Sequence, residues 1–331
     1  MKALTAPWLL VASIVLTTQN SAADGTVWSV TSENDLFGGT DRHYTNGLRI
    51  ERFSPEDKAF PFQREIADFL PFIDLERTKL RRGIGLTHAI YTPEDISAKV
   101  PDPEDRPYAG WLAVSATAVA EQRLPGGDFI QDSLQVNLGI VGPLAMGEQV
   151  QENWHEWIDG VEPRGWDYQL HDEPGVEIVA QRLRGLKGPR LLGLETDLGV
   201  HGSVALGNVR TYGAVGAMMR VGWDLDANFS PPRIRPALTG AGVYDPGEDF
   251  GGYIFAGVEG RAIARDIFLD GNTFRDSPSV DREPFVREYQ AGIAINIYAV
   301  QFAFSYVDRS EQFVDQTGRQ KFGAVSISLT H

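Results

Sequence analysis

The densest run of groups able to do chemistry lies between residues 32 and 47, Ser32-Glu33-Asn34-Asp35-Leu36-Phe37-Gly38-Gly39-Thr40-Asp41-Arg42-His43-Tyr44-Thr45-Asn46-Gly47. Its carboxylates, amides and hydroxyls are the oxygen donors that cage a hard cation such as Ca²⁺. Asn-Asp and Gly-Gly are also ordinary turn residues, so the same run reads equally as a hairpin loop. A second concentration falls at residues 145–157, a stretch without proline that predicts a short helix bearing Glu148, Glu152 and His155 at i, i+4 and i+7. That spacing puts two acids and an imidazole on one helical face, an arrangement for general base chemistry or simply a solvated surface. His201 and Ser203, two apart in a strand-like segment, share a face and form either the skeleton of a serine-type hydrolase or a polar pair lining a lumen. No partner acid for them is evident from sequence. His155-Glu156-Trp157-Ile158-Asp159 lacks the second histidine of a zinc-protease helix. The chain has no cysteine, which excludes thiolate nucleophiles, thiolate metal sites and disulfides. No Gly-x-Ser-x-Gly elbow occurs either, so an ester would have to be cleaved by water that a histidine deprotonates.

The elements that must position these groups show a period of two. Leu134, Val136, Leu138 and Ile140 alternate with Gln135, Asn137 and Gly139, and Val300, Phe302, Phe304 and Tyr306 alternate with Gln301, Ala303 and Ser305. Ala291, Ile293, Ile295 and Ile297, and later Val325, Ile327 and Leu329, repeat the pattern. The non-apolar positions are largely Gly, Ala, Ser, Asn and Gln, which fits a narrow hydrated interior with lipid outside better than the charged outer face of a soluble sandwich. About twelve such segments are discernible, near 25–32, 45–53, 80–91, 109–121, 130–142, 175–185, 191–204, 208–223, 250–264, 285–298, 299–309 and 320–330, an even number that suits a single-chain bacterial barrel. The fold expected is therefore all-β, a single antiparallel transmembrane β-barrel of about 12 strands with a short helix in a rim loop. Trp28, Phe53, Trp111, Trp223, Tyr253 and Tyr306 at strand ends are read as interfacial aromatics. Inserts at 55–78, 93–107, 143–174, 224–248 and 266–284 are rich in Pro, Asp and Gly and read as external loops and rim elements. Residues 1–23, with Lys2, an apolar stretch and then Ser21-Ala22-Ala23, have the layout of a secretory signal peptide, leaving 24–331 as one outer-membrane β-barrel domain. Over 331 residues, 30 basic against 45 acidic side chains give a net charge of −15, the wrong sign for nucleic-acid binding. Next to an anionic lipid surface that charge requires bridging divalent cations.

Collinear motifs carry a resemblance. The run from Glu33 to Gly47, then Ile90-Tyr91-Thr92-Pro93-Glu94-Asp95-Ile96, Asp105-Arg106-Pro107-Tyr108-Ala109-Gly110-Trp111, Gly142-Pro143 with Gly147-Glu148-Gln149-Val150-Gln151 and His155, and Gly165-Trp166 with Gln169-Leu170 resemble the outer-membrane lipid A deacylase family. The resemblance covers most of the chain and implies a twelve-stranded barrel in the outer membrane of a Gram-negative bacterium. It further implies Ca²⁺-dependent hydrolysis of an ester-linked acyl chain from lipid A, with lipopolysaccharide and outer-membrane lipids as partners and a monomer as the working unit. Carried over position by position, the family's site residues fall on Asn34, Asp35, Thr45 and His155. His155 is then the base, Asp35 and Asn34 the ligands of Ca²⁺, and Asn34 and Thr45 hydrogen-bonding groups. The chain departs from the family where Glu94-Asp95 follows Tyr91-Thr92-Pro93 in place of a Lys-Arg pair, and no glutamate after His155 stands in register. The rival expectation is a non-catalytic outer-membrane barrel that binds lipid or small solutes.

Overall fold

A computed structural model describes residues 25–35, 43–55, 78–227 and 249–331. The segment expected as a signal peptide, residues 1–23, and the part of the first loop from Leu36 to Arg42 lie outside the described residues. Twelve strands form the wall: β1 (Val27–Asn34), β2 (His43–Phe53), β3 (Thr78–Thr92), β4 (Ala109–Arg123), β5 (Phe129–Val141), β6 (Glu173–Lys187), β7 (Glu195–Gly207), β8 (Arg210–Trp223), β9 (Phe250–Asp266), β10 (Phe285–Ile297), β11 (Val300–Arg309) and β12 (Gln320–Thr330). Each is hydrogen-bonded antiparallel to its neighbours in sequence, and β1 closes the cylinder on β12 from Val27↔Thr330 to Asn34↔Gly323. Closure leaves no unpaired strand edge, which a wall in hydrocarbon requires.

The alternation read from sequence sets which side faces lipid. Leu134 and Leu138 on β5, Leu198 and Val200 on β7, Ile293 and Ile295 on β10 and Phe302 and Phe304 on β11 are all exposed on the outer surface, while Gln135, Asn137, His201, Ala294, Gln301 and Ser305 are buried inside. Apolar side chains therefore point out and polar ones in, the inverse of a water-soluble protein.

Two expectations need correction. Trp28 and Trp223 lie exposed on the outer wall, as interfacial aromatics should, but Phe53, Trp111 and Tyr253 are buried. They point inward because each sits one residue out of phase with the apolar face of its strand, and they fill the lumen instead. The five long inserts also divide between the two ends. Antiparallel order puts 93–108, 142–172 and 267–284 at the end where Asn34 and Arg309 finish their strands, called here the rim. β2 and β3, and β8 and β9, follow one another at the opposite end, where Gly25 N donates to His331 O at 2.8 Å, and residues 56–77 and 228–248 of those inserts lie outside the described residues.

The lumen is packed rather than simply hydrated. Near the rim, Tyr91 stacks on Phe268 with centroids 4.0 Å apart, Tyr44 meets Phe322 edge-on at 5.3 Å, and the guanidiniums of Arg210 and Arg309 lie over Phe268 and Phe322 at 4.8 and 4.9 Å. Buried ion pairs continue the filling, with Arg261 3.2 Å from Glu288, Arg309 2.6 Å from Glu288 and Arg210 3.4 Å from Glu177. Buried arginines survive there because each has a carboxylate or an aromatic face beside it.

Candidate active site

The structure places Asn34 and Asp35 at the rim end of β1, Thr45 near the rim end of β2, and His155 on a helix outside the wall. In β1, Trp28, Val30 and Ser32 point outward, and Asn34 follows in the same phase at the end of the strand. Asn34 lies directly across from Asn46 on β2, Asn46 from Ile90 on β3, and Ile90 from Gly110 on β4. Cross-strand partners share a face, so Asn34, Asn46, Ile90 and Gly110 form one lateral row on the outer surface, with steps of about 4.8 Å between strands.

Thr45 enters this row through a β-bulge. Tyr44 pairs with Tyr91 and Asn46 with Ile90, so Thr45 is the extra residue on β2. The bulge re-aims its side chain, and its hydroxyl meets that of Thr92 on β3 at 2.7 Å. Tyr44, its neighbour, turns the other way and donates its hydroxyl to Glu33 Oε2 at 2.6 Å inside the barrel. Asp35, directly after β1, is fully buried.

The predicted helix exists, as α1 (Gly147–Ile158), entered through a 3-10 turn at Pro143–Ala145. It lies against the outer surface of the barrel. His88, outward on β3, has Nε2 2.8 Å from the carbonyl of Ala145, which pins the turn to the wall. Gly110 makes the contact possible from β4: a β-carbon there would stand 3.0 Å from Ala145 Cβ and 3.1 Å from Gly147 N. Trp166, from the same rim insert, packs with Ile90, Ile96 and Tyr108 and donates Nε1 to Gln151 Oε1 at 2.8 Å.

The residues of α1 that face the wall are Gly147, Gln151 and His155, spaced i, i+4 and i+8. The expectation that Glu148, Glu152 and His155 share one face is therefore corrected: both acids lie on the next stripe around the helix, and only the histidine is buried. Glu148 holds its carboxyl above the ordinary range through partial burial and the nearby charges of Glu152 and Asp167. His155 Nδ1 is 2.5 Å from the carbonyl of Val161, so Nδ1–H donates and the lone pair resides on Nε2. The positive φ of Asp159, 58°, ends the helix and lets the chain fold back to bring Val161 to the ring.

Sequence reasoning places Gln151, Trp166 and Gly110 within the motifs but gives them no role, and in the structure they are the residues that seat the helix. The paired glycines Gly110 and Gly147 and the lone Trp166 carry no chemical signature, and only their contact gives them meaning. The competing pair behaves differently from its expectation. His201 does have an acid, since Nε2 is 2.7 Å from Glu259 Oε2, but Glu259 also accepts from Arg261 Nε at 2.5 Å. His201 is thereby one member of the lumenal ion network that continues to Glu288 and Arg309. Asp105 and Arg106 serve structure: Asp105 accepts from the backbone N–H groups of Glu94 and Arg106, at 2.6 and 2.7 Å, and Arg106 is buried over Tyr91. Asp270 likewise binds Arg282 at 3.1 Å.

Among the described residues, no group of three acids or histidines gathers to hold a metal. The donors at the end of β1, a buried carboxylate on Asp35 and the amide of Asn34, are oxygen ligands and suit a hard cation in kind.

A closed cylinder with oily residues outside, a filled lumen and a helix clamped over one rim defines an integral outer-membrane barrel whose candidate site faces the lipid side of its wall rather than its interior. The fold matches LpxR from Salmonella typhimurium, with a TM-score of 0.74 at 20% identity over 92% of this chain and all of that one. The β domain of the Bordetella autotransporter BrkA matches less well, with a TM-score of 0.48 at 11% identity over 94% of this chain and all of that one. No curated protein matches at a significant level. The family model described as outer membrane protein LpxR matches residues 6–331, and the chain belongs to that family, the lipid A deacylase family its motifs resemble. Membership places it in the outer membrane and makes modification of lipid A its class of activity.

Proposed function

We propose that the protein is an esterase that removes an ester-linked acyl chain from lipid A, with His155 as the general base. The observation that carries this reading is the imidazole itself, buried against the wall with Nδ1 held on the Val161 carbonyl and Nε2 at the other edge of the ring. The pitch of the helix supports its meeting with the other site residues. Gly147 lies over Gly110 on β4, and Gln151 is tied through Trp166 to Ile90 on β3. One helical turn, about 5.4 Å, thus advances α1 by about one strand. The next turn carries His155 toward Asn46 and Asn34.

In the reaction, His155 Nε2 takes a proton from a water whose oxygen bonds to the ester carbonyl carbon. The tetrahedral intermediate then expels the sugar hydroxyl oxygen, which takes that proton back from Nε2, and the fatty acid departs. Asn34 Nδ2 and the Thr45 hydroxyl, the latter oriented by Thr92, supply hydrogen bonds to the developing oxyanion. Asp35 and Asn34 would hold a Ca²⁺ ion, whose charge when bound polarises the ester carbonyl.

The test is mass spectrometry of lipid A from cells that lack the protein, carry it, or carry variants. Loss of one acyl chain is expected with the native chain. His155→Ala should abolish that loss, and Asn34→Ala or Thr45→Ala should slow it about 100- to 1000-fold. Lipid A of unchanged mass in cells holding correctly folded native protein would overturn the reading and leave a non-catalytic barrel.

A further inference from the structure

Helix α1 carries three parallel stripes, each repeating every four residues. The first, Gly147, Gln151 and His155, is buried against the barrel. One residue later, about 100° around the helix, comes an acidic stripe of Glu148, Glu152 and Glu156. One residue earlier, on the opposite flank, comes an apolar stripe of Val150 and Trp154, extended by Trp157 and preceded by the N-cap residue Met146. Met146 is 53%, Val150 39% and Trp157 49% exposed, and the indoles of Trp154 and Trp157 lie tilted against each other with centroids 5.1 Å apart. Nothing in the hydrogen bonding of the helix requires an apolar flank there, and water is a poor solvent for it.

The direction of that flank follows from its neighbours. Ala145, which leads into the apolar stripe at Met146, is held by His88, two residues further from the rim than Ile90, whereas Trp166 of the rim insert packs on Ile90 beside Tyr108, so the acidic stripe lies on the rim side. The apolar stripe, on the other side of the buried one, consequently faces down the outer wall. Below the helix on β3 and β4 that wall presents Ile84, Leu86 and Val114, all exposed. The apolar flank is thus continuous with the surface that the barrel already turns to lipid, with the acids held above it.

We infer that α1 is an interfacial helix, its Met146–Val150–Trp157 flank inserted among the acyl chains of the outer leaflet and its glutamate stripe in the aqueous headgroup layer. The partner is the leaflet itself. Paired indoles at the hydrocarbon boundary and segregated acids above are the pattern of a helix lying in a membrane plane. The insertion stands on the wall's orientation and the stripes alone and does not depend on the hydrolytic reading.

The absence of cysteine makes the test direct. Val150→Cys, Trp157→Cys, Glu152→Cys and Glu156→Cys, each carrying one nitroxide label, are reconstituted singly in vesicles of phosphatidylethanolamine and phosphatidylglycerol. Heat-modifiable gel migration verifies that each variant has folded. Labels at 150 and 157 should be relaxed by oxygen and lose relaxation by a water-soluble nickel chelate, and labels at 152 and 156 should show the reverse. Equal nickel accessibility at all four positions would overturn the inference, as would protection at 152 and 156 with exposure at 150 and 157.

Discussion

At the scale of single residues, the phase of a strand decides what each side chain can do. Asn34 reaches the outer surface because it follows Trp28, Val30 and Ser32 in alternation, whereas Glu33, one residue away, faces Tyr44 in the lumen. That phase is legible in the sequence. The re-aiming of Thr45 is not, since the bulge exists only relative to its partner strand. The acid beside His201 escaped for the same reason: Glu259 lies 58 residues away, and only the path of the wall unites them. Asp105 makes a prediction at this scale. Burial raises its carboxyl despite two backbone donors. The folded protein therefore holds that proton more tightly than the unfolded chain, whose value is near 3.9, and stability falls as pH rises from there through the raised value. Asp105→Asn should flatten this slope in acid, as measured by unfolding midpoints across pH.

At the scale of elements, the helix was predicted at nearly its true extent, but its orientation was not. Stripes of acids and of apolar residues can be counted along residues 145–157; which stripe turns to the barrel is fixed by two glycines and an indole on other segments. A β-carbon at Gly147 would stand 2.7 Å from the Trp166 ring and 3.1 Å from Gly110 Cα. Gly147→Val must therefore push the helix outward. Under the proposed mechanism it should lower deacylation by at least about tenfold, since misplacement by about 1 Å can cost 100-fold. The barrel's own heat-modifiability should not change, because the contact lies outside the wall. Gly147→Ala, less bulky, should fall between. Activity unaffected by the valine would show that the position of α1 does not govern the site.

At the scale of the whole molecule, the number of strands and the outward apolar face were readable because lipid imposes the same rule on every strand. The content of the lumen was not. Phe53, Trp111 and Tyr253 resemble interfacial aromatics in sequence, and only their inward phase shows that they fill the interior. There the chain His201–Glu259–Arg261–Glu288–Arg309 joins β7, β9, β10 and β11. Glu288 lies between two buried arginines, 3.2 Å from Arg261 and 2.6 Å from Arg309. Glu288→Gln would remove the carboxylate that Arg261 and Arg309 share and should cost about 3–5 kcal/mol. The temperature at which the folded gel band converts to the unfolded one is the readout, and it should fall. Glu148→Gln, on the exposed flank of α1, provides the contrast and should leave it unchanged.

The filled lumen has a physiological corollary. An open, water-filled cylinder would pass small polar solutes into the periplasm. Stacked rings and paired guanidiniums cross the bore near the rim, from Tyr91 on β3 to Phe268 and Arg210 on the far wall, so a solute entering from that end meets packed side chains instead of open water.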